Sequence, residues 1–270
     1  MDKIKVRKYR DEDEELVKEI FALGISEQVP TSFVHMLKQP LIQVVLMCVF
    51  FGLMAVFKSF LLPVLVISML LVGMRQLVSQ SFTKYIDFTL KEDFSRIQES
   101  YMEERDSCFW VAESEGRVVA LMAYVPSKIY QEFLELKHVS VYRSHRRRGI
   151  AKTLCRVAVD FARTKGYQTI VLYTSVVQTD AQKLYEHIGF KKIRQFRRPT
   201  LTAKFTNFFL FEYQLKVLDA EALGFDLLQQ EGRVDDLKGP RAPGHGGHSN
   251  TYAQGRKEAE ERVRLQQQHV

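Results

Sequence analysis

Apolar and polar positions alternate, cluster and recur along this chain, and each period predicts an element. Residues 3–9, "KIKVRKY", alternate charged and apolar, the signature of a strand with one buried face. "DEDEELVKEIFALG" follows. Its acidic first turn suits a helix dipole, Leu16, Ile20 and Phe21 share one face, and Gly24 supplies a stop. Between residues 41 and 74 polar positions almost vanish, in "LIQVVLMCVFFGLMAVFKSFLLPVLVISMLLVGM". From 84 to 104, "TKYIDFTLKEDFSRIQESYMEE" returns to a helical mixture. "CFWVAES" and "RVVALMAYVP" then read as a hairpin joined at Glu115-Gly116, and "FLELKHVSVY" as a third strand.

The next helix is opened by "HRRRGIA" and runs to Gly166, with Ile150, Leu154, Val157, Ala158, Phe161 and Ala162 on one face. "QTIVLYT" is a buried strand, and "DAQKLYEHIG" a short helix with Ala181, Leu184, Tyr185 and Ile188 along one side. "FKKIRQF" and "FTNFFLFEYQLKV" close the pattern as strands. Hairpins mixed with crossover helices predict an α/β fold with a mixed sheet. Residues 1–40 and 84–216 would form the folded unit, 41–74 an apolar insertion, and 217–270 a polar, largely mobile tail containing the linker "GPRAPGHGGHSN".

The insertion changes the picture most. A membrane span needs roughly 20 apolar residues. Residues 41–74 are too many for one upright helix and barely enough for two, and Lys58 and Pro63 interrupt them near the middle. A soluble core helix is seldom apolar all round for so long. Membrane association follows, either as a re-entrant helical hairpin turning near Lys58–Pro63 or as a single tilted span. If "KIKVRKY" pairs with strands that come after the run, both ends of the run lie on one side of the bilayer, which favours the hairpin.

Length and charge add less. The chain's 270 residues hold one core of ordinary size plus appendages. A net charge of +7 suggests acidic partners. Cys48, Cys108 and Cys155 show no metal spacing and no even-numbered disulfide framework. The charged first 20 residues carry no cleavable signal.

"HRRRGIA" poses an electrostatic question. A helix N-terminus carries about half a positive charge, so each cation there costs ~0.3–1 kcal/mol. Arg146, Arg147 and Arg148 crowd that end. A strand, a basic turn with Gly149 and a helix N-terminus together make an anion cradle, with backbone N–H groups pointing outward. The P-loop pattern and the Rossmann glycine fingerprint are both absent. The basic residues lack the interleaved aromatics of a single-strand binder, so no nucleic acid is expected. The bland alternative is a solvated basic turn.

At these residues the chain resembles the GCN5-related N-acetyltransferases. Arg146-Arg147-Arg148-Gly149-Ile150-Ala151 matches their acyl-CoA signature, and Ala181, Leu184-Tyr185 and Gly189-Phe190 match their later one. The element order agrees over residues 4–22 and 84–216. Within that superfamily "CFWVAES", "RGIAKTLCR", "TSVVQ" and the inserted membrane segment resemble the camello-like branch, which includes cysteinyl-conjugate and aspartate N-acetyltransferases. Two departures stand out: the family often has Gly at the place of Arg147 and Asn at the place of Gln178.

The resemblance implies a mostly antiparallel sheet with flanking helices, and a membrane-bound enzyme. That enzyme would move acetyl from acetyl-CoA to a primary amine by direct attack, with no metal. The amine would be an amino acid, a cysteine conjugate or a protein lysine. Arg146 to Ala151 and Gln178 would hold the acetyl donor, and backbone N–H groups near Val139 and Val141 would hold its pantetheine arm and oxyanion. Tyr185 is the implied acid for the leaving thiolate; the plain alternative is a core tyrosine. Glu135 is the candidate base and His138 its rival. By alternation the two face opposite sides of the strand unless a bulge intervenes. Cys155, within the cofactor helix, reads as a buried structural thiol. An endoplasmic reticulum or Golgi membrane is expected, with the cytosolic face favoured, where acetyl-CoA is available. A membrane-anchored acyl-CoA scaffold without turnover is the alternative.

Overall fold

A computed structural model describes residues 4–197 and 206–222. Seven strands form one sheet among these residues: β1 (Lys5–Lys8), β2 (Cys108–Ser114), β3 (Arg117–Pro126), β4 (Phe133–Val141), β5 (Thr169–Ser175), β6 (Lys191–Arg197) and β7 (Phe209–Lys216). Their spatial order is β1-β2-β3-β4-β5-β7-β6. Every neighbouring pair is antiparallel except β4 and β5, which run parallel. That one parallel contact requires a crossover, supplied by α5 (Ile150–Lys165). The helix pattern predicted for α5 holds: Ile150, Leu154, Val157, Ala158, Phe161 and Ala162 are all buried.

Each face of the sheet has its own core. On the α5 side lie Leu134, Leu136, Ile170, Leu172, Tyr213 and the apolar stripe of α5. On the other side α1 (Glu14–Ser26) packs Val17, Ile20 and Phe21 against Phe94, Phe109, Val111 and Leu121. β2 feeds both cores, which is why "CFWVA" is continuously apolar rather than alternating. Glu115 and Gly116, with φ of 53° and 77°, form the left-handed pair that a two-residue hairpin needs.

The inserted run folds as two helices, α3 (Pro40–Phe57) and α4 (Leu61–Glu92), after a short α2 (Val29–Leu37) that the sequence reading did not separate. Lys58 ends α3 in the left-handed conformation. Both helices are long and apolar enough to cross a membrane. Val44, Met47, Phe51, Leu65, Met69 and Val72 are exposed on them.

Two boundaries differ from the sequence reading. Gly24 does not end α1, which continues to Ser26; a Cβ there would lie 3.3 Å from Ser140 Oγ, so glycine permits close approach to β4. The helix expected over 84–104 is the C-terminal end of α4 up to Glu92, followed by a separate π-helical turn at Gln98–Met102. After β7 comes a short helix, α7 (Val217–Ala222), following α6 (Thr179–Ile188) in chain order. The tail expected to be mobile lies outside the described residues from 223 onward.

Candidate active site

β4 and β5 pair only from Phe133–Thr169 to Leu136–Leu172. β4 then continues to Val141 and β5 to Ser175 without pairing each other. The β5-side edge of β4 over residues 137–141 therefore has no strand partner among the described residues. The cause lies in the β3–β4 register. Leu121 pairs with Ser140 and Ala123 with Lys137, so His138 and Val139 together oppose Met122. This is a β-bulge, and His138 adopts φ 56° within it.

The bulge answers the alternation problem. Leu134 and Leu136 belong to the α5-side core, so Glu135 and Lys137 point the other way. His138 would return to the α5 side, but its ring packs 5.4 Å from Phe21 and 5.1 Å from Phe94, on the α1 side. Glu135 and His138 therefore share a face. Val139 and Val141 are restored to the α5 side.

β4 leads into the arginine turn. Arg146 is anchored: its Nε donates to the Val141 carbonyl at 2.9 Å, and its Nη1 lies 2.6 Å from Glu27 at the end of α1. Arg147 is left-handed at φ 63°, and so is Gly149 at 79°, the residue before α5. No side chain caps α5. A Cβ on Gly149 would meet nothing within 4 Å. The turn thus presents an open, uncapped, cationic helix N-terminus at the end of the unpaired β4 edge, a place that fits a phosphate-bearing ligand.

Beyond β5 in the chain comes α6. Tyr185 is buried against Phe190 and Tyr213, and burial, with Cys155 adding to it, pushes its phenol up. Cys155 itself is buried and pushed up to about 12, a neutral thiol. Ala181 and Leu184 are only half-buried, on the margin of the face predicted for α6. Gln178 turns its carboxamide oxygen back onto β5, accepting from Ser175 N at 2.9 Å and Thr174 Oγ1 at 3.0 Å. Its side chain holds the β5–α6 turn.

The α1-side face holds polar groups that the sequence did not single out. His138 Nε2 lies 3.1 Å from both Asp93 Oδ2 and Tyr101 Oη. Burial lowers the His138 pKa against the pull of Asp93. Burial alone would raise Asp93, yet its hydrogen bond with His138 and the charge of Lys137 hold it below the usual carboxylate range. Glu135 is half-buried and raised by burial, with Lys137 and Lys128 opposing. Tyr173 and the fully buried Glu212 lie on the same face. Tyr173 Oη has no hydrogen-bond partner among the described residues, while Glu212 is paired with Arg194 at 2.6 Å. Asp93, Tyr101 and Tyr173 gave no signal in the sequence, because only the bulge and the fold bring them together. Among the described residues no cluster of His, Cys, Asp and Glu is arranged to hold a metal.

Comparison with known proteins gives the chain's relatives. The family model for the acetyltransferase (GNAT) family matches residues 71–190. Human N-acetyltransferase 8B is 38% identical over 193 residues, 70% of this chain and 85% of the relative. Mouse N-acetyltransferase 8F1 is 39% identical, over 71% and 87%. Among solved structures, a GNAT-family acetyltransferase from Staphylococcus aureus Mu50 aligns over 80% of this chain and 99% of its own, at 16% identity and a TM-score of 0.47. A putative streptothricin acetyltransferase from Bacillus anthracis, solved in complex with acetyl coenzyme A, aligns over 47% and 70%, at 16% identity and a TM-score of 0.42. The chain belongs to the N-acetyltransferase 8 branch of the GNAT family, and it is an acetyltransferase.

Proposed function

We propose that this acetyltransferase takes acetyl from acetyl-CoA and gives it to a primary amine by direct attack, in a ternary complex at a membrane. The observation that carries the reading is the continuous path from the unpaired β4 edge to the uncapped, arginine-lined start of α5. Backbone N–H groups of Gly149, Ile150 and Ala151 would cradle the pyrophosphate, and Arg147 and Arg148 would add charge. Arg146, tied to Val141 and Glu27, would act by shaping the turn. Val139 and Val141 would offer backbone groups to the pantetheine arm and to the developing oxyanion. Gln178 would hold the far wall.

Acetyl-CoA supplies an activated thioester. Glu135 would take the proton from the acceptor's ammonium, and its raised pKa brings it nearer to neutrality, where a base works best. Tyr185, whose phenol stays protonated at neutral pH, would give its proton to the departing thiolate. The N–C bond forms as the C–S bond breaks: the acceptor nitrogen loses one proton through Glu135 to solvent before attack and a second after it, which restores the Tyr185 phenol, whose own proton leaves on the CoA thiol. The acceptor class, an amino acid, a cysteine conjugate or a protein lysine, would be the one the resemblance to the camello-like branch implies; the relatives' names say only that they are N-acetyltransferases. The exposed apolar surfaces of α3 and α4 would lie in a bilayer of the endoplasmic reticulum or Golgi, with the active site on the cytosolic face.

Calorimetry on the full chain in detergent tests the cradle. Gly149→Glu places a carboxylate in the open space and should abolish acetyl-CoA binding while thermal melting shows the fold intact. Unchanged binding would move the site elsewhere. Tyr185→Phe should lower turnover and leave acetyl-CoA affinity near wild type.

A further inference from the structure

We infer that Asp93, the residue closing the long helix α4, is a positioning residue: it holds His138, and through it the β4 bulge, in the form that opens the acyl-donor edge. The inference rests on the reading of that edge as the acetyl-CoA site. Its starting point is a conformation that must be held. His138 has φ 56° and carries a Cβ, so its left-handed backbone is disfavoured in isolation. A strand can avoid it by slipping one residue, which would turn Val139 and Val141 to the α1 side and Ser140 into the α5-side core. Ser140 Oγ would also leave its place 3.3 Å from the position a Cβ would take on Gly24.

Several elements converge on the imidazole to prevent this. Phe21 of α1 meets the ring edge-on at 88°, and Phe94 lies 5.1 Å away. Tyr101, from the π-helical turn, and Asp93 each lie 3.1 Å from Nε2. The His138 side chain is only 7% exposed, so these contacts are its environment. Asp93 differs from the others. It is the charged partner, it sits at the C-terminus of α4, and Lys137 Nζ stands 4.0 Å from the same Oδ2. It thus grips two consecutive β4 residues at the bulge. β4–β5 pairing stops at Leu136, immediately before them. Asp93 contacts the two bulge residues His138 and Lys137, so the effect tested here is the one that passes to the acyl donor through the bulge.

The test measures acetyl-CoA affinity by calorimetry and both Michaelis constants by initial rates, with the full chain in detergent. Asp93→Ala should raise the acetyl-CoA Kd about tenfold, ~1.4 kcal/mol, with the amine KM unchanged. Asp93→Asn keeps an acceptor oxygen and should bind close to wild type. Glycine adopts the left-handed conformation without a holder. In a His138→Gly background, Asp93→Ala should therefore cause no further loss. Should Asp93→Ala melt below the assay temperature, the Asp93→Ala/His138→Gly pair carries the test, and affinity equal to His138→Gly alone supports the inference. Wild-type affinity in a folded Asp93→Ala, or an equal loss with and without His138, overturns it. Gly149→Glu run in parallel separates the two ideas: if it binds acetyl-CoA normally, the donor-site reading fails, whereas loss there with no effect at Asp93 refutes the positioning role alone.

Discussion

Glu135, if it is the base proposed above, serves chemistry at the expense of stability. Burial disfavours its charged form and raises its pKa, while Lys137 and Lys128 pull the other way. A carboxyl whose folded pKa lies above its unfolded value, about 4.3, binds more protons folded than unfolded between those two values. Its contribution to stability is therefore full below the unfolded pKa and is lost as pH rises through the folded one. Glu135→Gln removes that loss. The variant should melt above wild type at pH 8 and together with it near pH 4, and its kcat should fall because the base is gone. In wild type, kcat/KM should drop as pH falls through the raised pKa; a pH–rate profile identical in the two proteins would exclude Glu135 as base. The sequence displayed Glu135 as a carboxylate within an apolar strand. It could not show His138 beside it, because strand alternation places the two apart and no glycine marks the bulge.

At the scale of elements, the turn from β4 into α5 combines the features most visible in the sequence with one it concealed. Arg146 to Ala151 were legible because three cations at a helix N-terminus contradict the dipole unless an anion is near. The conformation of Arg147 was not: its φ of 63° puts a Cβ-bearing residue where family members often carry glycine. That strain is of order 1 kcal/mol. Arg147→Gly should raise the melting temperature by a few degrees in a thermal scan while retaining most acetyl-CoA affinity, since backbone N–H groups remain. A fall in melting temperature would mean that the arginine side chain stabilises the turn by more than its backbone costs. β2 was legible for a simpler reason, since continuous burial follows from two covered faces, while in β1 Val6 meets the α5-side core and Arg7 is half-buried in its ion pairs with Asp13 and Glu113. α4 was misdivided because its composition changes at Arg75, from apolar to mixed. A change of composition marks a change of surroundings, not a break in hydrogen bonding, and after Pro63 the helix contains no proline to interrupt it.

The whole molecule poses a problem of connection. β1 pairs with β2 over Lys5–Glu113 to Lys8–Trp110, and Arg7 binds both Asp13 and Glu113 across that seam. Between β1 and β2 in the chain lie α3 and α4, whose apolar residues face outward. A sheet cannot be assembled through a bilayer, where every backbone group must be satisfied locally. If α3 and α4 enter a bilayer, as proposed, the chain must therefore enter and leave it on the same side. α3 has 18 residues, which reach ~27 Å, and α4 holds an apolar stretch as long, so each comes close to spanning a hydrocarbon core of ~30 Å. Lys58, left-handed between the two helices, puts a charge at the tip, which is costly at the far interior unless the bilayer thins or the side chain reaches headgroups. A re-entrant hairpin with its tip below the opposite headgroups satisfies both length and pairing. Protease-cleavable tags at the two termini of the chain, assayed in sealed microsomes, should be cut together or protected together. With the catalytic sheet on the cytosolic face, both should be cut without detergent. One tag cut and the other protected would mean a single crossing, and that outcome is incompatible with β1 lying beside β2.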